Sequence, residues 1–301
     1  MTGTRAVSAL VLALAGFLAE ASQAPQPTLH LGVVSFYNPR LMFIKHQPMV
    51  DYLTATTGRP WDLVVVPSYE RLVDDLCSRK MTAAYIGPFA YARARAACKA
   101  IPVATLASAG KPTYRSLVMV RDDSPLKTLP DLVGKTVGFG PPMATAAHLV
   151  ARAMLRDAGL NPGIDVGCRH YAHQEEPARA VLRGEVDACG IREFVGEQFT
   201  RRGLRVLARS EEVPGFLLAL APGSERALRD ELVRVLVTLP GQDSGAAKAI
   251  RAWDEELAGG FVRASDAAYE PVRRMAVRLF GPSALTIPAA SLECRSPEHR
   301  P

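Results

Sequence analysis

The feature that most constrains this chain is an alternation of short β-branched runs with helical stretches, which starts near residue 28. Short apolar runs are typical of strands, whereas apolar residues three or four positions apart are typical of helices. The first round of this pattern predicts strands at 29–35, 63–66, 82–86 and 101–106 and helices at 46–57, 69–79 and 89–98. Such alternation favours a mostly parallel sheet with helices on both faces.

A second round follows an extended segment at 114–121. It predicts strands at 136–139, 165–171, 186–191 and 205–208 and helices at 145–157, 176–183 and 194–201. A second extended segment at 216–221 is followed only by predicted helices, at 224–239, 244–257 and 266–280. These helices lack strands of their own to cover, so we expect them to return to the first lobe.

The predicted fold is therefore α/β with two lobes, each a doubly wound sheet, and two crossover strands that form a hinge over a cleft. Lobe one is discontinuous and takes residues 25–116 and 217–288, whereas lobe two takes residues 117–216. Residues 289–301 are polar and are expected to form a flexible tail.

The first 24 residues have the organisation of an export signal. A charged start with Arg5 precedes a mostly apolar stretch at 6–18, and small residues then lead to Ala24. The apolar stretch is too short to cross a hydrocarbon core that needs about 20 residues. We expect cleavage after Ala24, with Ala21 as the second choice, and a periplasmic mature protein.

The net charge of +6 mildly favours an anionic ligand. The basic residues are dispersed over predicted helix faces without interleaved aromatic residues, so nucleic acid is not an expected partner. We expect a monomer that carries no cofactor.

Candidate binding residues lie where strands end and helices begin, because helix N-termini present unpaired backbone N–H groups at that edge of a sheet. Four such places occur, at 36–38, 87–89, 142–145 and 191–193. They hold the candidates Tyr37, Gly87, Pro88, Phe89, Thr145 and Arg192. Phe89 can wall a pocket or belong to the core, and Thr145 can cap its helix or offer its hydroxyl to a ligand.

Neither metal binding nor catalysis has support in the sequence. His170 and His173 are three residues apart, but no predicted helix holds them on one face and no nearby Cys or Asp completes a metal site. The chain lacks a nucleophile elbow, a P-loop and a zinc-protease motif, so we do not expect an enzyme. His173 can lie at the rim of the cleft as an anion partner or be an ordinary surface histidine.

Several loose motifs occur in one order along the chain. They are PMVDYL at 48–53 with TG at 57–58, YIGPFAY at 85–91, YRSL at 114–117, DLVGKTV at 131–137 and LRGEVDA at 182–188. With them the mature chain resembles the phosphate-, phosphite- and phosphonate-binding (PhnD-like) family of periplasmic substrate-binding proteins. The resemblance implies a hinged, type II-like two-lobed fold that delivers its ligand to an ABC permease or to a membrane sensor.

The resemblance also implies a binding site, from which this chain departs. Family members grip phosphonate oxygens with a Ser-Thr-Ser run, which here matches Ala144, Thr145 and Ala146. Family ligand contacts are matched by His173 and by a tyrosine near Tyr37, and Tyr114 lies in the YRSL motif.

A further departure is Arg192, which stands where phosphonate binders place an acidic residue. An arginine can hold an oxyanion with two parallel hydrogen bonds and would repel an amine. The alternative is that Arg192 points to solvent or pairs with Glu193 or Glu197. The implied ligand is phosphate, phosphite, a phosphonate or an arsenic oxyanion. Because the family also contains arsenite sensors that signal to histidine kinases, a kinase is the second expected partner.

The five cysteines leave at least one unpaired. Cys77 and Cys98 end consecutive predicted helices on one face of the first sheet, so a disulfide between them is one interpretation. Cys168 and Cys189 lie on strands that flank the first strand of lobe two, which is too far for a bond. Cys189 is nearer the cleft and is the candidate thiol ligand for arsenic, with a buried structural cysteine as the alternative.

Overall fold

The computed structural model describes residues 26–107, 110–238 and 253–294. The predicted signal segment therefore lies outside the described residues. The same holds for residues 244–252 of the helix predicted at 244–257, whose remaining residues form turns.

The described strands follow the chain in two groups. They are β1 (Leu29–Val34), β2 (Trp61–Val66), β3 (Ala83–Ile86), β4 (Ile101–Leu106), β5 (Thr113–Tyr114), β6 (Ser116–Arg121), β7 (Thr136–Phe139), β8 (Gly167–His170), β9 (Ala188–Arg192), β10 (Leu204–Arg209), β11 (Val213–Pro214), β12 (Leu217–Leu220) and β13 (Phe261–Arg263).

The described helices lie between them. They are α1 (Pro39–Thr57), α2 (Tyr69–Cys77), α3 (Pro88–Cys98), α4 (Ala151–Asp157), α5 (Glu176–Leu182), α6 (Glu193–Thr200), α7 (Arg226–Val237) and α8 (Glu270–Phe280). A π-helical turn (Thr145–Val150) leads directly into α4, and short 3₁₀ turns cover Leu129–Leu132, Asp266–Tyr269 and Ala289–Leu292.

Each lobe is built on one mixed sheet. Lobe one has the strand order β13-β4-β12-β3-β1-β2, in which β1, β2 and β3 are parallel and β12 runs antiparallel to both its neighbours. Lobe two has the order β10-β6-β9-β7-β8, in which β7 is parallel to β8 and β9. The α/β, two-lobed prediction is confirmed, although crossover strands make each sheet less parallel than expected.

Two short strands join the lobes. β5 and β11 pair antiparallel, with Tyr114 opposite Val213, and the chain enters lobe two through β5 and leaves it through β11. The N–H of Gly215 donates to the carbonyl of Pro112, 2.8 Å away, and extends this pairing. Two-stranded crossings of this kind let two rigid bodies rotate while both chain connections remain intact.

Helix α1 begins seven residues before the predicted start at residue 46. Asn38 caps it by accepting a hydrogen bond from the N–H of Leu41, and Pro39 occupies the first turn, where its missing N–H costs nothing. Phe43 and Ile44 are 46% and 59% exposed. These two apolar residues on the outer face obscure the helical period and hide the start of the helix.

The region after Phe216 differs from the prediction in one strand. β13 pairs antiparallel with β4 at the edge of the lobe-one sheet, so the prediction of helices alone was wrong. Three residues are too few to show a strand period in the sequence. The side of β4 that β12 leaves free supplies the partner, which only the folded sheet reveals.

The predicted flexible tail is wrong for residues 289–294. Leu292 is fully buried against the core of lobe one, and Cys294 is 5% exposed within the core of lobe two. The Arg152 guanidinium donates to the carbonyl of Leu292 at 2.7 Å, and the N–H of Cys294 donates to His170 at 3.2 Å. The chain therefore connects the two lobes a third time.

Two disulfides are present. One joins Cys77 at the end of α2 to Cys98 at the end of α3, 21 residues apart, with Cα atoms 5.5 Å apart. The other joins Cys168 on β8 to Cys294, 126 residues apart, and fastens the third connection to lobe two. Only the first was foreseen as an interpretation, because Cys294 stood in the segment predicted to be a flexible tail.

We expect the longer disulfide to stabilise the fold more. Closing a loop removes entropy from the unfolded chain, by about 3 kcal/mol for a loop near 20 residues and about 5 kcal/mol for one above 100. The C168S/C294S variant should therefore lose more free energy of unfolding than the C77S/C98S variant in urea titrations. An equal or smaller loss for C168S/C294S would contradict a structural role for the third connection.

Candidate ligand-binding cleft between the lobes

A cavity of about 250 Å³ lies between the lobes. Lobe one lines it with residues that follow β1 and β2, and lobe two lines it with the loop after β7, the π-helical turn and the ends of β8 and β9. The hinge contributes Phe216. The lining residues are Val34, Ser35, Phe36, Pro67, Ser68, Tyr69, Glu70, Pro141, Pro142, Ala144, Thr145, Ala146, Ala147, Ala172, Gln174, Arg192 and Phe216.

The π-helical turn at 145–150 presents its N-terminus to this cavity. The first N–H groups of a helix have no acceptor within it, and their aligned dipoles favour negative charge. Ala144, Thr145, Ala146 and Ala147 all line the cavity. This wall is thus the strongest candidate for holding an oxyanion, as the sequence predicted for Thr145 and Ala146.

Two glycines explain why this turn lies so close to the sheet. A Cβ at Gly190 would stand 2.5 Å from the Cβ of Ala151, and one at Gly140 would stand 2.8 Å from the Cβ of Ala147. The Gly140 N–H donates to the carbonyl of Ala147 at 3.0 Å, and the Ser116 hydroxyl donates to the carbonyl of Ala146 at 2.8 Å. Two carbonyls of this helix thus accept hydrogen bonds from residues outside it. The helix departs from α-helical pairing at the same place and forms a π-helical turn.

Thr145 is the point where lobe two meets helix α3 of lobe one. Its Oγ1 accepts a hydrogen bond from the backbone N–H of Phe89 at 3.0 Å, so its own hydroxyl hydrogen remains able to donate. The side chain of Phe89 is fully buried and stacks on Phe280 with ring centroids 6.4 Å apart. Phe89 therefore contributes its backbone N–H, and the interpretation of Phe89 as a core aromatic is the one that the structure supports. Gly87 and Pro88 do not line the cavity, so their role as ligand contacts stays a prediction.

The most strongly charged contact of the cleft crosses the lobes. The guanidinium of Arg192 donates to both carboxylate oxygens of Glu256, at 2.5 and 2.6 Å, with side chains only 8% and 12% exposed. Tyr85 donates to the same carboxylate at 3.1 Å. The predicted alternatives for Arg192, solvent or Glu193 or Glu197, are wrong, since Glu193 instead pairs with Arg209 at 2.6 Å.

Both members of this pair are ionised. Burial by itself opposes the charge on Glu256, but the charge and hydrogen bonds of Arg192 outweigh it and hold the pKa of Glu256 below its ordinary 4.5. Burial likewise opposes the charge on Arg192, and Glu256 raises the pKa of Arg192 above its usual range. The Nε of Arg192 is buried and has no hydrogen-bond partner among the described residues.

Three further contacts close the rim. Gln174 of lobe two donates to the Tyr37 hydroxyl at 2.8 Å, and its N–H donates to the carbonyl of Phe36 at 3.3 Å. His173 lies with Nδ1 3.3 Å from the carbonyl of Ser35. Tyr37 and His173 thus belong to the edge of the cleft, but neither lines the cavity, so their predicted role as direct ligand contacts stays a prediction.

A buried histidine, His148, and a half-buried one, His170, support the loop that forms one cavity wall. His148 Nδ1 lies 2.6 Å from the carbonyl of Pro142, and His170 Nδ1 lies 3.0 Å from the carbonyl of Gly140. Because a carbonyl can only accept, each Nδ1 carries the proton. Burial lowers the pKa of both imidazoles, which keeps them neutral at pH 7. The C-terminal segment adds to this support, since the Cys294 N–H donates to the Nε2 of His170.

Tyr114 lies on hinge strand β5 rather than in the cavity wall. Burial raises the pKa of its hydroxyl despite an interaction with Thr145, so Tyr114 remains protonated and neutral. Its ring lies 6.2 Å from that of Phe216. It can support Thr145 and the hinge, whereas a direct ligand contact stays a prediction.

Cys189 does not reach the cavity. It lies on β9 inside the core of lobe two, fully buried against residues such as Met119 and Val195. Burial raises the pKa of its thiol to about 12, so the reactive thiolate is scarce. Cys189 is absent from the lining of the cavity, and its assignment as an arsenic ligand is therefore wrong.

Sequence reasoning missed several residues of the site, among them Ser68, Tyr69, Gln174, Phe216 and Glu256. Ser68 caps helix α2 directly after β2, so the strand-end rule that identified the other four places applied here as well. For Phe216 and Gln174 the only indication in the sequence was their position, beside a hinge and beside a strand end. Nothing in the sequence indicated Glu256, because it lies on a turn 64 residues from Arg192.

Comparison with known proteins gives the same architecture. A binding-protein component of an ABC phosphonate transporter from Pseudomonas aeruginosa is 21% identical, with a TM-score of 0.74 over 86% of this chain and 88% of that one. PhnD1 from Prochlorococcus marinus, in complex with methylphosphonate, is 16% identical, with a TM-score of 0.75 over 86% of this chain and 100% of that one. At these identities the two structures establish the fold alone.

One curated relative is considerably longer than this chain. The tetrathionate sensor histidine kinase TtrS of Salmonella typhimurium is 28% identical over 146 residues, which is 43% of this chain and 25% of the kinase. The matched region thus spans about a quarter of the kinase. No helix among the described residues of the present chain has the length and apolar character needed to cross a membrane.

The sequence model of one family extends over both lobes and both hinge strands. That family is described as "ABC transporter, phosphonate, periplasmic substrate-binding protein", and it matches residues 31–269. The match includes the π-helical turn, Arg192 and Glu256. The chain therefore belongs to the phosphonate-binding family of periplasmic substrate-binding proteins of ABC transporters.

Proposed function

We propose that this protein captures a small oxyanion between its lobes and presents it to an ABC permease, without catalysing a reaction. The observation that carries the proposal is the N-terminus of the π-helical turn, which forms a wall of the interlobe cavity and meets lobe one through Thr145. The family supplies the class of protein, a solute binder rather than an enzyme. Phosphate, phosphite, phosphonates and arsenic oxyanions are the ligands in question.

The oxyanion would lie against the turn formed by residues 144–147. Backbone N–H groups and the Thr145 hydroxyl can each donate to its oxygens, and charge-assisted bonds of this kind are stronger than neutral ones. Arg192 can donate one further hydrogen bond from its unpaired Nε, while its two terminal nitrogens stay on Glu256.

Lobe closure would trap the ligand. Residues from both lobes meet at Thr145–Phe89, Gln174–Tyr37 and Arg192–Glu256. The proposed setting is the periplasm, after removal of residues 1–24, with the protein acting as a monomer. A permease would then recognise the closed form of the protein.

A second candidate function is sensing. The similarity to a region of a sensor histidine kinase favours a kinase as the alternative partner. The two functions differ in cells that lack this protein. Loss of ligand uptake would identify the transport partner, whereas intact uptake with loss of a transcriptional response to the ligand would identify the sensor.

Binding should depend on the hydroxyl of Thr145. We expect T145A to weaken binding of the tightest oxyanion by about 10-fold to 100-fold, since a hydrogen bond to a charged group contributes about 1.5–3 kcal/mol. Titration calorimetry against phosphate, phosphite, methylphosphonate, arsenate and arsenite would measure this. T145S keeps the hydroxyl and is the matched control, and no binding of any of these ions by the wild type would count against the proposal.

Closure should depend on Glu256. In E256Q the buried charge of Arg192 loses its counter-ion, an arrangement that costs about 3–5 kcal/mol unless the lobes open. We therefore expect E256Q to have a larger radius of gyration than the wild type in solution scattering at pH 7. E255Q, a change at the exposed neighbour, is the control. A scattering curve of E256Q identical to that of the wild type would exclude this role.

The ion pair between Arg192 and Glu256 also predicts a pH below which the lobes open. Because the folded-state pKa of Glu256 lies below its ordinary value, the pair contributes stability above pH 4.5 and loses it as the pH falls through the lowered pKa. The wild type should therefore stay closed from neutral pH down to about pH 4.5 and open below it. E256Q should show no such transition.

A further inference from the structure

The walls of the cavity are mainly apolar. Eleven of its seventeen lining residues carry aliphatic, prolyl or aromatic side chains. Phe36 lies edge-on to Tyr69, with ring centroids 6.1 Å apart, and edge-on to Phe216, at 5.7 Å. Ala144 and Ala146 present only methyl groups beside the N–H donors of the π-helical turn. Such walls stabilise apolar groups of a ligand by removing them from water.

Several polar side chains of the lining form hydrogen bonds with the protein itself. The Ser35 hydroxyl donates to the carbonyl of Tyr37 at 2.8 Å, Ser68 accepts from the N–H of Arg71 at 3.2 Å, and Gln174 donates to Tyr37. The donors left for a ligand are the N–H groups and the Thr145 hydroxyl of the π-helical turn, the hydroxyls of Ser68 and Tyr69, and the unpaired Nε of Arg192. The turn can hold one oxyanion head, and the hydroxyls are neutral donors that bring no further positive charge.

The charges around the cavity do not favour a dianion. The positive charge of Arg192 is matched by the negative charge of Glu256 at hydrogen-bonding distance. Glu70, the remaining ionised side chain of the lining, is negative and lies at the exposed rim. The helix N-terminus adds roughly half a positive charge. This partial charge can balance much of a single negative charge, but a second charge would stay uncompensated in a site of low dielectric constant.

The volume of the cavity also exceeds the volume of an inorganic oxyanion. A cavity of about 250 Å³ has room for on the order of eight waters at about 30 Å³ each. A tetrahedral head with four oxygens would fill about half of that space. The remainder lies against the rings of Phe36, Tyr69 and Phe216.

From the neutralised arginine, the half charge of the helix N-terminus and the aromatic walls, we infer that the preferred ligand is a singly charged organic oxyacid with an apolar substituent. Organic sulfonates and singly ionised phosphonates share this chemistry. The inference rests on the proposed function and narrows it, since hydrogen phosphate and other small dianions become poor ligands. The head would lie on the π-helical turn and the substituent between the rings.

A ligand series tests this in the wild-type protein. Calorimetry at mildly alkaline pH would compare benzenesulfonate, methanesulfonate, phenylphosphonate, methylphosphonate and phosphate. We expect benzenesulfonate to bind at least about 10-fold more tightly than methanesulfonate, because the ring buries apolar area. Each phenyl compound should also bind more tightly than its methyl counterpart. Phenylphosphonate is a dianion at this pH, so tighter binding of phenylphosphonate than of benzenesulfonate would overturn the argument for a single charge.

Tighter binding of phosphate or methylphosphonate than of either phenyl compound would overturn the inference while supporting the proposed function. Binding of none of the five compounds would instead count against the proposed function. The series thus separates the two failures.

A charge variant tests the role of Glu256 independently of closure. In E256Q the charge of Arg192 is no longer matched, so a dianion gains more than a monoanion of the same shape. The ratio of the affinities for methylphosphonate and methanesulfonate should rise at least about 10-fold, and any cost of lobe opening cancels in this ratio. E255Q should leave the ratio unchanged. An unchanged ratio in E256Q would overturn the argument from charge balance.

Discussion

The ion pair between Arg192 and Glu256 is the interaction on which the closed structure depends. Each group comes from a different lobe, and each is almost fully buried. A single charge in such surroundings would be strongly destabilised, whereas a pair with two short hydrogen bonds can be accommodated. Closing the lobes and forming the pair are therefore the same event. The Tyr85 hydroxyl fixes the carboxylate, and the Phe216 ring lies 5.0 Å from the guanidinium, so hinge and pair are in direct contact.

The third connection between the lobes restricts how the two lobes can move relative to each other. Helix α8 ends with Phe280, whose ring stacks on His148 of lobe two with centroids 5.9 Å apart. The chain then continues to Cys294, which the disulfide fastens to Cys168. His148 and His170 in turn hold the carbonyls of the loop at 140–142, which walls the cavity. The C-terminal segment thus links the position of that loop to the relative position of the lobes.

The parts of the fold that follow local rules could be read from the sequence. The strands at 101–106 and 136–139 have the predicted bounds because each is a short apolar run between turn residues. Strand β13 and Glu256 could not be found, because each acquires its role from a partner far away in the chain. For the site, the N-terminus of the turn at Thr145 was predictable from its position after β7. The neutralisation of Arg192 by Glu256 could not be predicted, since neither the neighbours of Arg192 nor its spacing in the sequence indicates Glu256.

The glycines and alanines around the π-helical turn connect the fold to the chemistry of the site. Gly140 and Gly190 allow the turn to approach the sheet closely, and this brings its N–H groups to the cavity between the lobes. Ala144 and Ala146 keep the approach open but supply no hydroxyl, so backbone dipoles and one threonine provide most of the attraction for an anion. The dipoles of the helix N-terminus can balance only part of a negative charge, and the charge of Arg192 is already balanced by Glu256. Discrimination among ligands then falls to the shape and apolar character of the remaining walls, where Phe36, Tyr69 and Phe216 meet.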